Sequence, residues 1–129
     1  MYQFPPKVRL LTARQFQNVF RGSLVIQDSN YRVKAVPNSE NYPRLGLAVS
    51  RRVNKRAVVR NRIKRVVRES FRKNKEALAG LDIVVVAKPA ASTADKKQLN
   101  ASIDRHWQQL AETVKKGSTQ TGARQDKKE

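Results

Sequence analysis

Twelve basic side chains and one acid fall between residues 51 and 75 of this 129-residue chain, so +11 of its net +18 lies in about a fifth of its length. Eight of the twelve are arginines, at positions 51, 52, 56, 60, 62, 65, 68 and 72. A guanidinium is a planar fork of donors that matches phosphate oxygens and stacks on bases. The chemistry open to such a set is the neutralisation and orientation of a polyanion. A surface serving solubility alone would mix the signs, as residues 76–129 do with nine basic and seven acidic side chains. If six of these cations each neutralise one phosphate, the log–log salt slope of binding is about −4 to −5.

Bond-breaking chemistry has no comparable set. Phosphodiester hydrolysis by the polypeptide itself needs clustered carboxylates for metal ions, or a histidine with a partner acid. The single histidine, His106, stands beside Trp107 in an amphipathic stretch, where a packing or surface role explains it. Glu69, the one acid in the basic segment, is explained by an intrahelical pair with Arg65, Arg72 or Lys73. No cysteine is present for a disulfide or a thiolate metal site. Glycine-rich phosphate loops, a nucleophile elbow and zinc spacings are missing too. No catalytic residue and no protein-held metal are therefore expected. No apolar run approaches the roughly 20 residues of a membrane span, and Met1-Tyr2-Gln3-Phe4-Pro5-Pro6 lacks the features of a signal peptide, so the expected location is cytoplasmic.

The elements that must position these cations follow from periodicity. Thr12 and Gln15 suggest a capping box, Leu11 and Phe16 a staple and Gly22 a stop for a helix over 13–21 with Phe16, Val19 and Phe20 on one face. Leu24 to Gln27 and Tyr31 to Val36 form a hairpin in which Arg32 and Lys34 alternate with Tyr31, Val33 and Ala35. Leu45, Leu47 and Val49 alternate with Gly46, Ala48 and Ser50 in a third strand, whose small residues leave room for something to approach. From Arg56 to about Lys73 the spacing predicts a helix: Val59, Ile63, Val66, Val67 and Ser70 share a core-facing stripe. Asn61, Lys64, Arg65, Arg68 and Arg72 lie opposite, with Arg60 and Arg62 flanking. Leu81 to Ala87 is a buried central strand, and Ser92 with Asp95 caps a last helix carrying Leu99, Ile103, Trp107, Leu110 and Val114. Residues 117–129 are expected to be a disordered tail after a single domain over 1–116.

The polyanion is expected to be RNA. The stripe of the basic helix suits packing on strands, not insertion into a membrane. No helix-turn-helix spacing precedes it, which argues against DNA. Phe16, Phe20 and Tyr31 admit two roles, bases stacking in a groove at roughly 1 to 3 kcal/mol each or ordinary core packing, and the sequence leaves both open.

The segment Arg44-Leu45-Gly46-Leu47-Ala48-Val49-Ser50-Arg51-Arg52-Val53, followed by Ala57-Val58-Val59-Arg60-Asn61-Arg62-Ile63-Lys64-Arg65 and Arg68-Glu69-Ser70-Phe71-Arg72, resembles the protein subunit of bacterial ribonuclease P. A weaker likeness extends over Arg9-Leu10, Phe16, Phe20 and Ile83 to Pro89, or roughly residues 4 to 115. The chain departs from the family in having Val53-Asn54-Lys55-Arg56 where many members have a loop glycine, and Arg51-Arg52 where Lys-Lys is common. The resemblance implies an α+β fold in the order αβββαβα, with a mixed sheet and a left-handed βαβ crossover, like the second domain of ribosomal protein S5. It implies a holoenzyme that removes the 5′ leader of precursor tRNA, with catalysis by the RNA subunit and Mg²⁺ held mainly by that RNA and the substrate. The partners implied are ribonuclease P RNA and precursor tRNA. Arg51, Arg52, Arg56, Arg60, Asn61, Arg62, Lys64, Arg65 and Arg68 are the catalytic-RNA-binding residues it points to, and Phe16, Phe20 and Tyr31 the leader-binding cleft. The alternatives are a structural RNA-binding protein of ribosomal type, a self-sufficient basic nuclease and, more distantly, a DNA-compacting protein.

Overall fold

The computed structural model describes residues 13–21, 24–38 and 40–119, without the side chains of residues 13, 16, 20 and 114–119. Helix α1 (Ala13–Phe20) precedes the hairpin β1 (Leu24–Gln27) and β2 (Tyr31–Pro37), then β3 (Arg44–Ala48), helix α2 (Ala57–Lys73), β4 (Leu81–Ala87), a 3-10 turn (Pro89–Ser92) and helix α3 (Lys96–Thr119). The result is an α+β fold with one four-stranded mixed sheet in the order β1-β2-β4-β3. β4 is antiparallel to β2 and parallel to β3, so α2 is the crossover between neighbouring parallel strands. β4 is buried along almost its whole length, as its unbroken apolar run requires.

Strand alternation assigns the two faces. One face carries Tyr31, Val33 and Ala35 from β2, Ile83 and Val85 from β4 and Leu45 from β3, and meets Ile63, Val67 and Phe71 of α2 and Leu99, Ile103, Trp107 and Leu110 of α3. Each large side chain buried here contributes roughly 1.5–3 kcal/mol. Phe71 and Trp107 meet edge to face, with centroids 5.8 Å apart. The Trp107 indole N–H donates to Ser70 Oγ (2.8 Å), which donates to Asp104 Oδ1 (2.5 Å), so a polar chain runs between α2 and α3. The other sheet face is covered by α1, whose Val19 meets Val84 beside Val36 and Val86.

Several expectations need correction. The cap of α3 is Asp95, not Ser92: the Gln98 N–H donates to Asp95 Oδ1 (2.7 Å) and the Asp95 N–H donates to Gln98 Oε1 (2.9 Å), a reciprocal capping box. Ser92 closes the preceding 3-10 turn by donating to Pro89 O (2.8 Å). α3 continues to Thr119, so residues 117–119 belong to the helix and not to a tail. β3 stops at Ala48, before Val49. Leu11, Thr12 and Gly22, invoked for the ends of α1, and residues 120–129 lie outside the described residues.

Candidate nucleic-acid interface

The basic segment is built from a loop and one helix face. Val53 is the loop's anchor: only 5 % exposed, it enters the core and leaves Arg51, Arg52, Lys55 and Arg56 at the surface. A turn between Ser50 O and the Val53 N–H (3.0 Å) shapes the tip. The Asn54 carboxamide oxygen accepts the Arg56 N–H (2.8 Å), which leads the chain into α2. Arg56 is the N-cap residue of α2 and supplies no side-chain cap. Seventeen residues make α2 about 25 Å long. Ile63, Val66, Val67, Ser70 and Phe71 hold its inner face. On its outer face Asn61, Arg62, Arg65 and Arg72 are exposed, with Lys64 and Arg68 half-buried. Val58, 63 % exposed, is an apolar side chain within this cationic surface.

Arg60 behaves differently from its neighbours. It is half-buried, and its Nη1 donates to the carbonyl oxygens of Asn54 (3.0 Å) and Lys55 (2.8 Å). The expected binding residues Arg51, Arg52, Arg56, Asn61, Arg62, Lys64, Arg65 and Arg68 thus share a loop and a helix, while Arg60 turns back onto the loop.

The expected aromatic cleft is altered. Tyr31 is fully buried on the face of β2 that meets the other two helices, packed edge to face on His106 (6.3 Å), so it is not available for stacking on a base. The physical reason is parity: Tyr31 alternates with Arg32, and a strand residue's neighbours point to the opposite face. Arg32 and Lys34 occupy the α1 side instead, paired in register with Val86 and Val84, and beyond β4 the small Ala48 and Gly46 stand at the same levels. Phe16 and Phe20 lie in α1, on that side of the sheet, but their side chains lie outside the described residues.

The remaining polar clusters are internal fastenings. Arg44 forks onto Asp82, with Nε to Oδ1 at 2.7 Å and Nη2 to Oδ2 at 2.8 Å, and the Asn38 carboxamide also donates to Asp82 (2.8 Å). This ties the start of β3 to β4. Asp28 accepts the backbone N–H groups of Asn30 and Tyr31 (both 2.9 Å) and the Ser102 hydroxyl, and lies 3.3 Å from His106 Nε2. Burial would raise the Asp28 pKa, but the Ser102 hydroxyl, the two backbone donors and His106 outweigh it and hold the pKa at about 2. Burial and the Asp28 charge push the Tyr31 phenol well above its usual value. His106 is a buried link between α3 and the β1–β2 turn, which decides for packing between the packing and surface roles open to it in the sequence. Among the described residues, no three His, Cys, Asp or Glu side chains converge to hold a metal ion.

The fold recurs in known proteins. The ribonuclease P family model matches residues 4–111. The RNase P protein of Staphylococcus aureus at 2.0 Å is 28 % identical, with a TM-score of 0.73 over 81 % of this chain and 94 % of that one. A mutant of the S. aureus protein with defective mRNA degradation activity matches at 29 % identity and a TM-score of 0.74, covering 82 % of this chain and 89 % of that one. The RNase P protein of Thermotoga maritima is 31 % identical, with a TM-score of 0.70 over 78 % of this chain and 96 % of that one.

Proposed function

Since this chain belongs to the ribonuclease P protein family, we infer that it binds a catalytic RNA through α2 and the loop before it, and helps that RNA remove the 5′ leader of precursor tRNA. The observation that carries this reading is the division of α2. Its inner face is committed to the core, and its outer face exposes Arg62 and Arg65 alongside the loop cations. Arg51, Arg52, Arg56, Asn61, Arg62, Lys64, Arg65 and Arg68 neutralise and orient phosphates of the RNA. The α1 side of the sheet, with Arg32 and Lys34, takes the single-stranded leader, and Phe16 and Phe20 of α1 supply stacking. Bond breaking belongs to the RNA, and the Mg²⁺ it uses is held by RNA and substrate. No step passes through a carboxylate of this chain. The protein works in the cytoplasm, on RNA and not DNA or membranes.

Reconstitution tests this. The purified chain mixed with a bacterial ribonuclease P RNA should permit leader removal at Mg²⁺ concentrations where the RNA alone is slow, and nucleotide-free protein should cleave nothing. RNA binding without any effect on cleavage would favour a structural, ribosomal-type protein. Cleavage by the RNA-free polypeptide would overturn the assignment of chemistry to the RNA.

A further inference from the structure

The geometry points to Arg60 as a positioning residue that clamps the cationic loop, its principal role being to hold other cations in place and not to neutralise a phosphate itself. This rests on the RNA-binding reading above. Four cations, Arg51, Arg52, Lys55 and Arg56, crowd into six residues and repel one another. The loop's fastenings are few. Val53 anchors it in the core, and the Asn54 carboxamide is spent on the Arg56 N–H. α2 begins without a side-chain cap, so no side chain at the N-cap closes the junction.

Arg60, one turn inside the helix, reaches back over this junction. A single guanidinium nitrogen bridges the carbonyls of Asn54 and Lys55 at 3.0 and 2.8 Å. Bonds from a charged donor are stronger than neutral ones, and the two carbonyl dipoles offset the added positive charge. The clamp fixes the path by which residues 54–56 enter the helix, and so the direction in which Lys55 and Arg56 leave it. Arg62, two residues on, is exposed and makes no such turn. The Arg60-Asn61-Arg62 triplet therefore divides its labour: the first arginine shapes the site and the second meets the ligand.

The two roles leave different marks on salt dependence. Counterion release counts the phosphates neutralised in the complex, so losing a contact flattens the log K against log salt line by about 0.7–0.9. Losing a clamp adds an ordering cost but removes no phosphate contact, which moves the line with little change in its slope. Binding of full-length chain to a bacterial ribonuclease P RNA should be measured across a salt series for Arg60→Ala, Arg60→Met and Arg62→Ala. Arg60→Met keeps the length of the side chain and removes its donors. Both Arg60 variants should bind about tenfold more weakly at every salt concentration with the slope little changed, while Arg62→Ala should flatten it.

Hydrogen exchange in the free protein gives a second readout. The Val53 and Arg56 amides, bonded to Ser50 O and Asn54 Oδ1, should exchange at least about tenfold faster in the Arg60 variants and at the normal rate in Arg62→Ala. Unchanged loop amides, or a slope loss in Arg60→Ala equal to that of Arg62→Ala, would overturn the clamp. If the unaltered chain showed no salt-dependent binding, the RNA reading would fall instead, and the exchange rates alone would decide whether Arg60 holds the loop.

Discussion

Helices α2 and α3 pack on the same sheet face and on each other, yet they differ in what their polar residues fasten. α3 buries two of its own, Ser102 and His106, against Asp28, and through Trp107 and the exposed Asp104 it joins Ser70 in a chain that links the two helices. α2 turns most of its own outward, where exposed Asn61, Arg62 and Arg65 face solvent. A buried polar group must be matched or it costs stability, so the polar residues of α3 belong to folding. A repelling row of arginines gains little for folding. The buried polar groups of α3 are tied to other elements, whereas the exposed cations of α2 point away from the core.

The largest effect expected from testing this contrast is on the α3 side. Trp107→Ala removes a fully buried ring and its bond to Ser70, and should cost about 3–5 kcal/mol in urea unfolding. The RNA salt slope of the fraction that stays folded should not change. A loss below about 1 kcal/mol would mean that the polar chain and the edge-to-face contact are dispensable. The mirror experiment, Arg62→Ala with Arg65→Ala, should leave unfolding free energy within about 0.5 kcal/mol while flattening the RNA salt slope by about 1.5. Destabilisation without a change in slope would place these arginines with the α3 group and erase the contrast.

The smallest expected effect is electrostatic. Asp28 has its folded pKa depressed to about 2, so its contribution to stability is complete above the unfolded value near 4 and disappears as pH falls through about 2. Ser102→Ala removes one donor to that carboxylate. The folded pKa then rises toward the unfolded value, stability near neutrality falls by about 1 kcal/mol at this partly open site, and the acid-induced loss becomes shallower. An identical acid profile in the variant would show that Ser102 does not hold the Asp28 charge. RNA binding at neutral pH should be indifferent to the change.

Local patterns carried much of this. β4 was legible because an apolar run bounded by Gly80 and Lys88-Pro89 has few other solutions, and α2 because its stripe and its cations separate cleanly at helical spacing. For Tyr31 the residues alone leave stacking and core packing open and the resemblance points to the cleft; burial on the face opposite Arg32 decides for the core. The cap of α3 was misplaced because two overlapping motifs, at Ser92 and at Asp95, both satisfied the pattern, and only the path of the 3-10 turn chooses between them. Arg60 was placed on the correct flank of the helix, but its turn toward residues 54 and 55 depends on loop geometry that no periodicity encodes. The Asp28–Ser102 contact joins residues 74 apart and leaves no trace in local composition.

The strand order also constrains how the protein is made. β2 and β3 both pair with β4, the last strand to leave the ribosome. A nascent chain that stops at residue 80 has one two-stranded hairpin to hold it, which is marginal in water. It already carries nineteen basic and four acidic side chains, a charge of +15. Seven more residues complete the sheet, and until they emerge the chain is a polycation without its central strand. The positive charge therefore precedes the sheet that arranges it.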